Sequence, residues 1–135
     1  MEYKNKHLKI VNEIGKKGEE LACMFLVKRG YSIIERNYLK RWGEIDIVAE
    51  KDDKLLFVEV KSVSCKKFKD VSCETGYRPE ENIHIQKLQR LKRVVESYML
   101  ENNASHRDWK FCAITVLIDQ ATRVARVSLI PDIVL

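Results

Sequence analysis

A chain of 135 residues has the size of one domain, and we read residues 1–135 as a single unit. At that size folding buries roughly two-thirds of the surface an unfolded chain exposes, so neither a metal nor a disulfide is needed to hold a core together. Hydrophobic residues at 45% and charged residues at 33% exclude a disordered or fibrous chain, and the formal net charge of +5 favours a polyanionic partner. The polar start Met1-Glu2-Tyr3-Lys4 and the absence of an apolar leader after it predict a cytoplasmic protein. The longest largely apolar run, Phe111 to Ile118, is far short of the roughly 18 residues a membrane helix needs, so no membrane partner is expected.

In chain order, Ile14, Gly18, Leu21, Ala22, Phe25 and Leu26 recur at helical spacing and predict a helix from about Lys6 to Arg29, stopped by Gly30. Gly15 and Gly18 each weaken an isolated helix by roughly 1 kcal/mol relative to alanine, which implies close packing against a neighbouring element. Tyr31 to Asn37, Glu44 to Glu50 and Leu55 to Ser62 read as strands, the last two joined by the charged turn Lys51-Asp52-Asp53-Lys54. Within the third, Leu56, Val58 and Val60 face one way while Phe57, Glu59 and Lys61 face the other.

Lys66 to about Pro79 is polar and aperiodic, a long loop of the kind that carries function or moves. A second helix is expected from about Glu81 to Glu101, with Ile85, Leu88, Leu91, Val95 and Tyr98 or Met99 inward. Lys110 to Ile118 is apolar on both faces, as in a strand covered by helices on both sides. Asp119-Gln120-Ala121-Thr122 then turns into a last strand, Arg123 to Ile130, ended by Pro131. The order α-β-β-β-α-β-β describes an α/β domain with a mixed sheet. Cys23 and Cys112 lie in apolar segments, while Cys65 and Cys73 share the polar loop at a spacing that fits no common zinc pattern. All four are expected reduced.

Chemistry enters at the hairpin. If its strands pair symmetrically about Asp52-Asp53, paired residue numbers sum to 105, which sets Asp46 opposite Glu59 and Glu44 opposite Lys61 on one face. Facing carboxylates repel, and a divalent cation such as Mg²⁺ or Mn²⁺ offsets that repulsion, typically using one or two carboxylates plus waters and phosphate oxygens. Lys61 is placed to orient the attacking water and to stabilise charge on a phosphate, with Glu19 of the first helix as a further acid. Charges alternating along a strand also mark a solvated sheet face, so spacing alone leaves both readings open. Lys66, Lys67 and Lys69 of the loop and Lys87, Arg90 and Arg93 of the second helix are candidate phosphate contacts, or equally a solvated helix face and loop.

The segments Gly15-Lys-Lys-Gly-Glu19-Glu-Leu-Ala22, Gly30-Tyr31, Arg36-Asn37-Tyr38, Gly43-Glu-Ile-Asp46 and Phe57-Val-Glu59-Val-Lys61 resemble the YraN-like family of bacterial endonuclease-like proteins. That family belongs to the PD-(D/E)XK restriction-endonuclease-like superfamily and is similar to the archaeal Holliday junction resolvases. The resemblance implies an αβββαβ core with a mixed central sheet flanked by helices, Asp46 and Glu59 as metal ligands, Lys61 as catalytic lysine and Glu19 as accessory acid. Two positions depart from the family's habit. Val63 stands where an arginine is usual, and Cys112 where an aspartate is usual, changes expected to remove charge near the substrate surface.

Together these readings lead to a Mg²⁺- or Mn²⁺-dependent endonuclease that hydrolyses phosphodiesters, with DNA favoured over RNA, branched or damaged structures as candidate substrates, and a homodimer as a candidate assembly. The alternative is a nucleic-acid-binding module of the same fold without cleavage. A third reading, a basic face that meets an acidic protein, fits the charge and leaves the carboxylate pair unexplained.

Overall fold

The computed structural model describes residues 16–66 and 85–135 of the chain. A helix over residues 16–28 (α1) leads into three strands, β1 (Ser32–Lys40), β2 (Gly43–Lys51) and β3 (Lys54–Cys65). A second helix, α2 (Ile85–Glu101), precedes β4 (Trp109–Asp119) and β5 (Ala125–Ile130). The sheet order is β1-β2-β3-β4-β5. All neighbours are antiparallel except β3 and β4, which run parallel and are bridged in sequence by α2. This is the αβββαβ core of a restriction-endonuclease-like domain, with β5 added at one edge.

The helices stop where their sequences say they should. Gly30 takes φ 91°, its N–H donates to the Val27 carbonyl, and the Tyr31 N–H donates to the Leu26 carbonyl, both at 3.0 Å. That pair of bonds closes the end of α1. Asn103, with φ 51°, does the same after α2, where the Ala104 N–H reaches the Met99 carbonyl at 2.8 Å. Asn tolerates the left-handed backbone better than most side chains.

Two apolar layers lie on opposite faces of the sheet. Under α2, Leu91, Val94, Val95, Tyr98 and Met99 pack with Tyr38, Ile45, Val48, Leu55, Phe57 and Phe111. Under α1, Ala22 and Leu26 pack with Ile47, Ala49, Leu56, Val58, Cys112, Ile114 and Val116. β4 thus contributes to both layers, as its two-faced apolar run predicts. Ile85, expected inward, is instead 74% exposed at the first residue of α2, beyond the reach of the layer that Leu91 begins to fill. Cys112 is the small core residue its apolar segment predicts, which overturns the expectation that its departure from the family habit removes charge near a substrate surface. It is 2% exposed in the layer beneath α1, and burial pushes its thiol up to about 12. A carboxylate there would lie inside the core rather than at a substrate surface. Cys23 and Cys112 are free, whereas Cys65 is disulfide-bonded, against the expectation of four reduced thiols.

The hairpin of β2 and β3 has the expected register: Lys51↔Lys54, Glu50↔Leu55, Ala49↔Leu56, Val48↔Phe57 and Ile47↔Val58. Asp52 and Asp53 take φ 51° and 66°. Left-handed backbone at both central residues is the two-residue hairpin turn whose twist matches that of its strands. Among the described residues no helix is long and apolar enough to cross a membrane.

Candidate metal and phosphate site

The ladder between β2 and β3 ends at Ile47↔Val58, although β3 continues beside β4 as far as Cys65↔Asp119. Beyond Val58 the Val60 N–H donates to Asp46 Oδ2 at 2.7 Å. A side-chain carboxylate has taken the place of a backbone partner, and the two strands part around it.

Asp46 is also where β2 rolls over. Ile45 belongs to the layer under α2, yet Ile47, two residues on, belongs to the layer under α1. In a regular strand such residues share a face. β1 rolls at the same level: Arg36 partners Ile47 and Tyr38 partners Ile45, while Asn37 between them holds φ 55°. Paired numbers sum to 83 on both sides of the roll, so the strands turn together without losing register. This corrects two expectations. Asp46 is not paired with Glu59, because the ladder ends before it. Glu44 does not share a face with Glu59 and Lys61; it turns instead toward Glu19 of α1, and the Asn37 amide, with its nitrogen turned toward them, bridges the two carboxylates.

The site is therefore assembled from both sides of the sheet. Glu19, Arg36, Asn37 and Glu44 stand on the α1 side, where Arg36 pairs with Glu19 at 3.6 Å. On the α2 side stand Glu59, Lys61 and Lys87. Glu59 Oε1 takes Lys87 Nζ at 2.5 Å and Lys61 Nζ at 3.7 Å, whereas Glu59 Oε2 is buried and accepts from none of the described residues. α1 is seated close to β3 because Gly18 lies directly over Ser62, where an added Cβ would fall 2.8 Å from the Ser62 Cβ.

Electrostatics reflect this crowding. Burial raises the Asp46 carboxyl from 3.8 to about 6, and Glu19, Glu44 and Glu59 add to the rise against the Val60 hydrogen bond. Glu44 is raised by burial and then by Glu19. Burial pulls the Lys61 ammonium below its ordinary value, as does Lys87 beside it, with Glu59 opposing. Lys87 moves the other way; burial would lower it, but contact with Glu59 prevails.

The donor set fits a divalent cation in chemistry. Carboxylates that raise one another and a buried carboxylate oxygen without a partner are what such an ion relieves. Among the described residues no three Asp, Glu, His or Cys side chains form a ready-made cage.

Of the phosphate-contact candidates, Lys66 and Arg90 are exposed. Lys87 lies on Glu59, and the Arg93 guanidinium stacks over the Trp42 ring at 4.1 Å. Lys67 and Lys69, with most of the expected 66–79 loop, lie outside the described residues. Sequence reasoning missed the seat of Lys87 and the place of Asn37. Helix-to-strand facing leaves no trace in spacing, but an asparagine inside a strand flanked by polar residues was a usable sign of left-handed backbone.

Residues 18–117, spanning both motif strands and both helices, match the uncharacterised protein family UPF0102. The chain belongs to that family. Relatives named only as UPF0102 proteins include one from Syntrophomonas wolfei, 36% identical over 107 residues that cover 79% of this chain and 86% of the relative. A second, from Caldicellulosiruptor saccharolyticus, is 36% identical over 120 residues, or 89% and 95% of the two chains. A third, from Thermotoga petrophila, is 45% identical over 87 residues, or 64% and 71%. The resemblance to YraN-like proteins drawn from the motif residues thus holds for this UPF0102 chain.

Proposed function

We propose that this UPF0102 protein is a metal-dependent nuclease that hydrolyses phosphodiester bonds in DNA, with branched or damaged structures as candidate substrates. The observation that carries the reading is the parting of β2 and β3 at Asp46, beside a Glu59 whose Oε2 is buried without a partner. A gap lined by carboxylates is costly to keep unless an ion or a substrate uses it. Asp46 and Glu59 would hold Mg²⁺ or Mn²⁺; when bound, such an ion lowers the pKa of water and neutralises phosphate charge. Lys61, its ammonium lowered by burial and by Lys87, would orient the attacking water and donate to the phosphate oxygens. Glu19 would act from the α1 side as accessory acid.

One observation favours the second reading, binding without cleavage: Lys87 already sits on Glu59, so a protein cation supplies part of the charge balance. The test is incubation with branched, nicked and linear duplexes in Mg²⁺ or Mn²⁺, beside Asp46→Asn. Cleavage by the parent and none by the variant is the expected result. Binding of the same duplexes with no cleavage in either ion would favour the second reading.

A further inference from the structure

Three features meet at Asn37. Its backbone is left-handed, with φ 55°, in the middle of β1. The pairs on either side, Arg36↔Ile47 and Tyr38↔Ile45, set it level with Asp46, where both strands roll. Its side-chain amide lies between two carboxylates. With the nitrogen toward them, Asn37 Nδ2 donates to Glu44 Oε1 at 2.9 Å and to Glu19 Oε1 and Oε2 at 3.3 Å each. The opposite orientation would press the amide oxygen against three carboxylate oxygens, so the donating orientation is the one the network allows.

An amide nitrogen carries two protons, one for each carboxylate. It can therefore hold two like charges near each other without neutralising either, which a lysine or arginine would do. Arg36 also pairs with Glu19, at 3.6 Å, so that without the amide Glu19 would keep only that partner among the described residues. Glu44 is exposed and, apart from this amide, would turn to solvent. Both carboxylates act on Asp46.

We propose that Asn37 is the positioning residue of this site. Its left-handed backbone rolls β1 in step with β2, and its amide bridges Glu19 and Glu44 so that both stand beside Asp46 before any cation arrives. The inference rests on the cation-site reading of Asp46 and Glu59 and extends it to a residue that touches neither ion nor substrate. Glu19 and Glu44 are not the ligands themselves but crowd Asp46, and outer groups that hold a metal site's surroundings in place typically contribute about 10- to 100-fold to metal affinity.

The discriminating variant is Asn37→Gly, which keeps the left-handed backbone accessible while removing the amide. Titration calorimetry with Mn²⁺ alone on the full chain is expected to show about ten-fold weaker binding or more, with the melting temperature lowered by about 5 °C or less. A second measurement needs no metal: the Asn37 side-chain NH₂ resonances should move in both Glu19→Gln and Glu44→Gln. Resonances that respond to neither variant, or to only one, overturn the bridge. Equal Mn²⁺ affinity in parent and Asn37→Gly overturns the positioning role while leaving the cation site intact. A parent that takes up no Mn²⁺ overturns the cation reading and the role built on it.

Discussion

Asp46 carries the largest electrostatic burden resolved at the site, and its energetics can be worked through. Burial and three neighbouring carboxylates raise its carboxyl from 3.8 to about 6. Between those pH values the folded protein holds a proton that the unfolded chain has released. Stability from this group is therefore full below about pH 4 and is lost as pH rises through about 6. At about 1.4 kcal/mol per pH unit, the loss by pH 7.5 is on the order of 2–3 kcal/mol. Asp46→Asn removes the charge but keeps an oxygen to accept from the Val60 N–H. Without added metal it should melt above the parent at pH 7.5, with the gap closing toward pH 4. Asp46→Ala leaves that part-buried N–H without an acceptor, at about 1–3 kcal/mol, which offsets most of the gain. Urea melts of the three proteins at both pH values check this. A parent more stable than Asp46→Asn at pH 7.5 in chelator would make Asp46 a structural residue.

Among elements, the contact of α1 with β3 is the most exacting, because Gly18 leaves no room above Ser62. Gly18→Ala gains up to about 1 kcal/mol of helix propensity. It also brings a Cβ within 2.8 Å of the Ser62 Cβ, and no rotamer relieves a contact between two Cβ atoms. Overpacking of this kind costs about 1–3 kcal/mol, so the variant should be destabilised on balance. Ser62→Gly should restore the double variant where Ser62→Ala does not, a coupling that a double-mutant cycle measures. Additive effects would mean that α1 shifts freely. The demand for closeness was legible in the sequence at Gly18, since a glycine in a helix needs a reason; Gly15, read the same way, lies outside the described residues. The hairpin register was legible too, because Asp52 and Asp53 can both take left-handed backbone and allow a two-residue turn. The roll at Asn37 and Asp46 was not, since strict alternation is the default for a strand and only tertiary packing overrides it. That override moved Glu44 away from Lys61. Ile85 misled for the converse reason: an apolar residue at helical spacing is buried only where a sheet lies beneath it.

For the whole molecule, a net charge of +5 is compatible with the proposed polyanionic partner, and the fold sorts which basic groups are available to meet one. Lys87 and Arg90 are three residues apart on α2 and look alike in sequence. The structure separates them: Lys87 is held by Glu59 at 2.5 Å, whereas Arg90 is exposed. Each phosphate neutralised on duplex DNA contributes about −0.9 to the slope of log affinity against log salt. In an Asp46→Asn background, Arg90→Ala should therefore flatten the slope by about one, and changing Lys67 and Lys69 together should flatten it by roughly two. Lys87→Ala should leave the slope nearly unchanged, because its charge is already balanced within the protein. If Lys87→Ala flattens the slope as much as Arg90→Ala does, Lys87 leaves Glu59 when DNA arrives and belongs to the phosphate surface. Fluorescence anisotropy on a branched and a linear duplex from about 50 mM salt upward makes the measurement. No binding to either duplex at the lowest salt would turn the basic face over to an acidic protein partner.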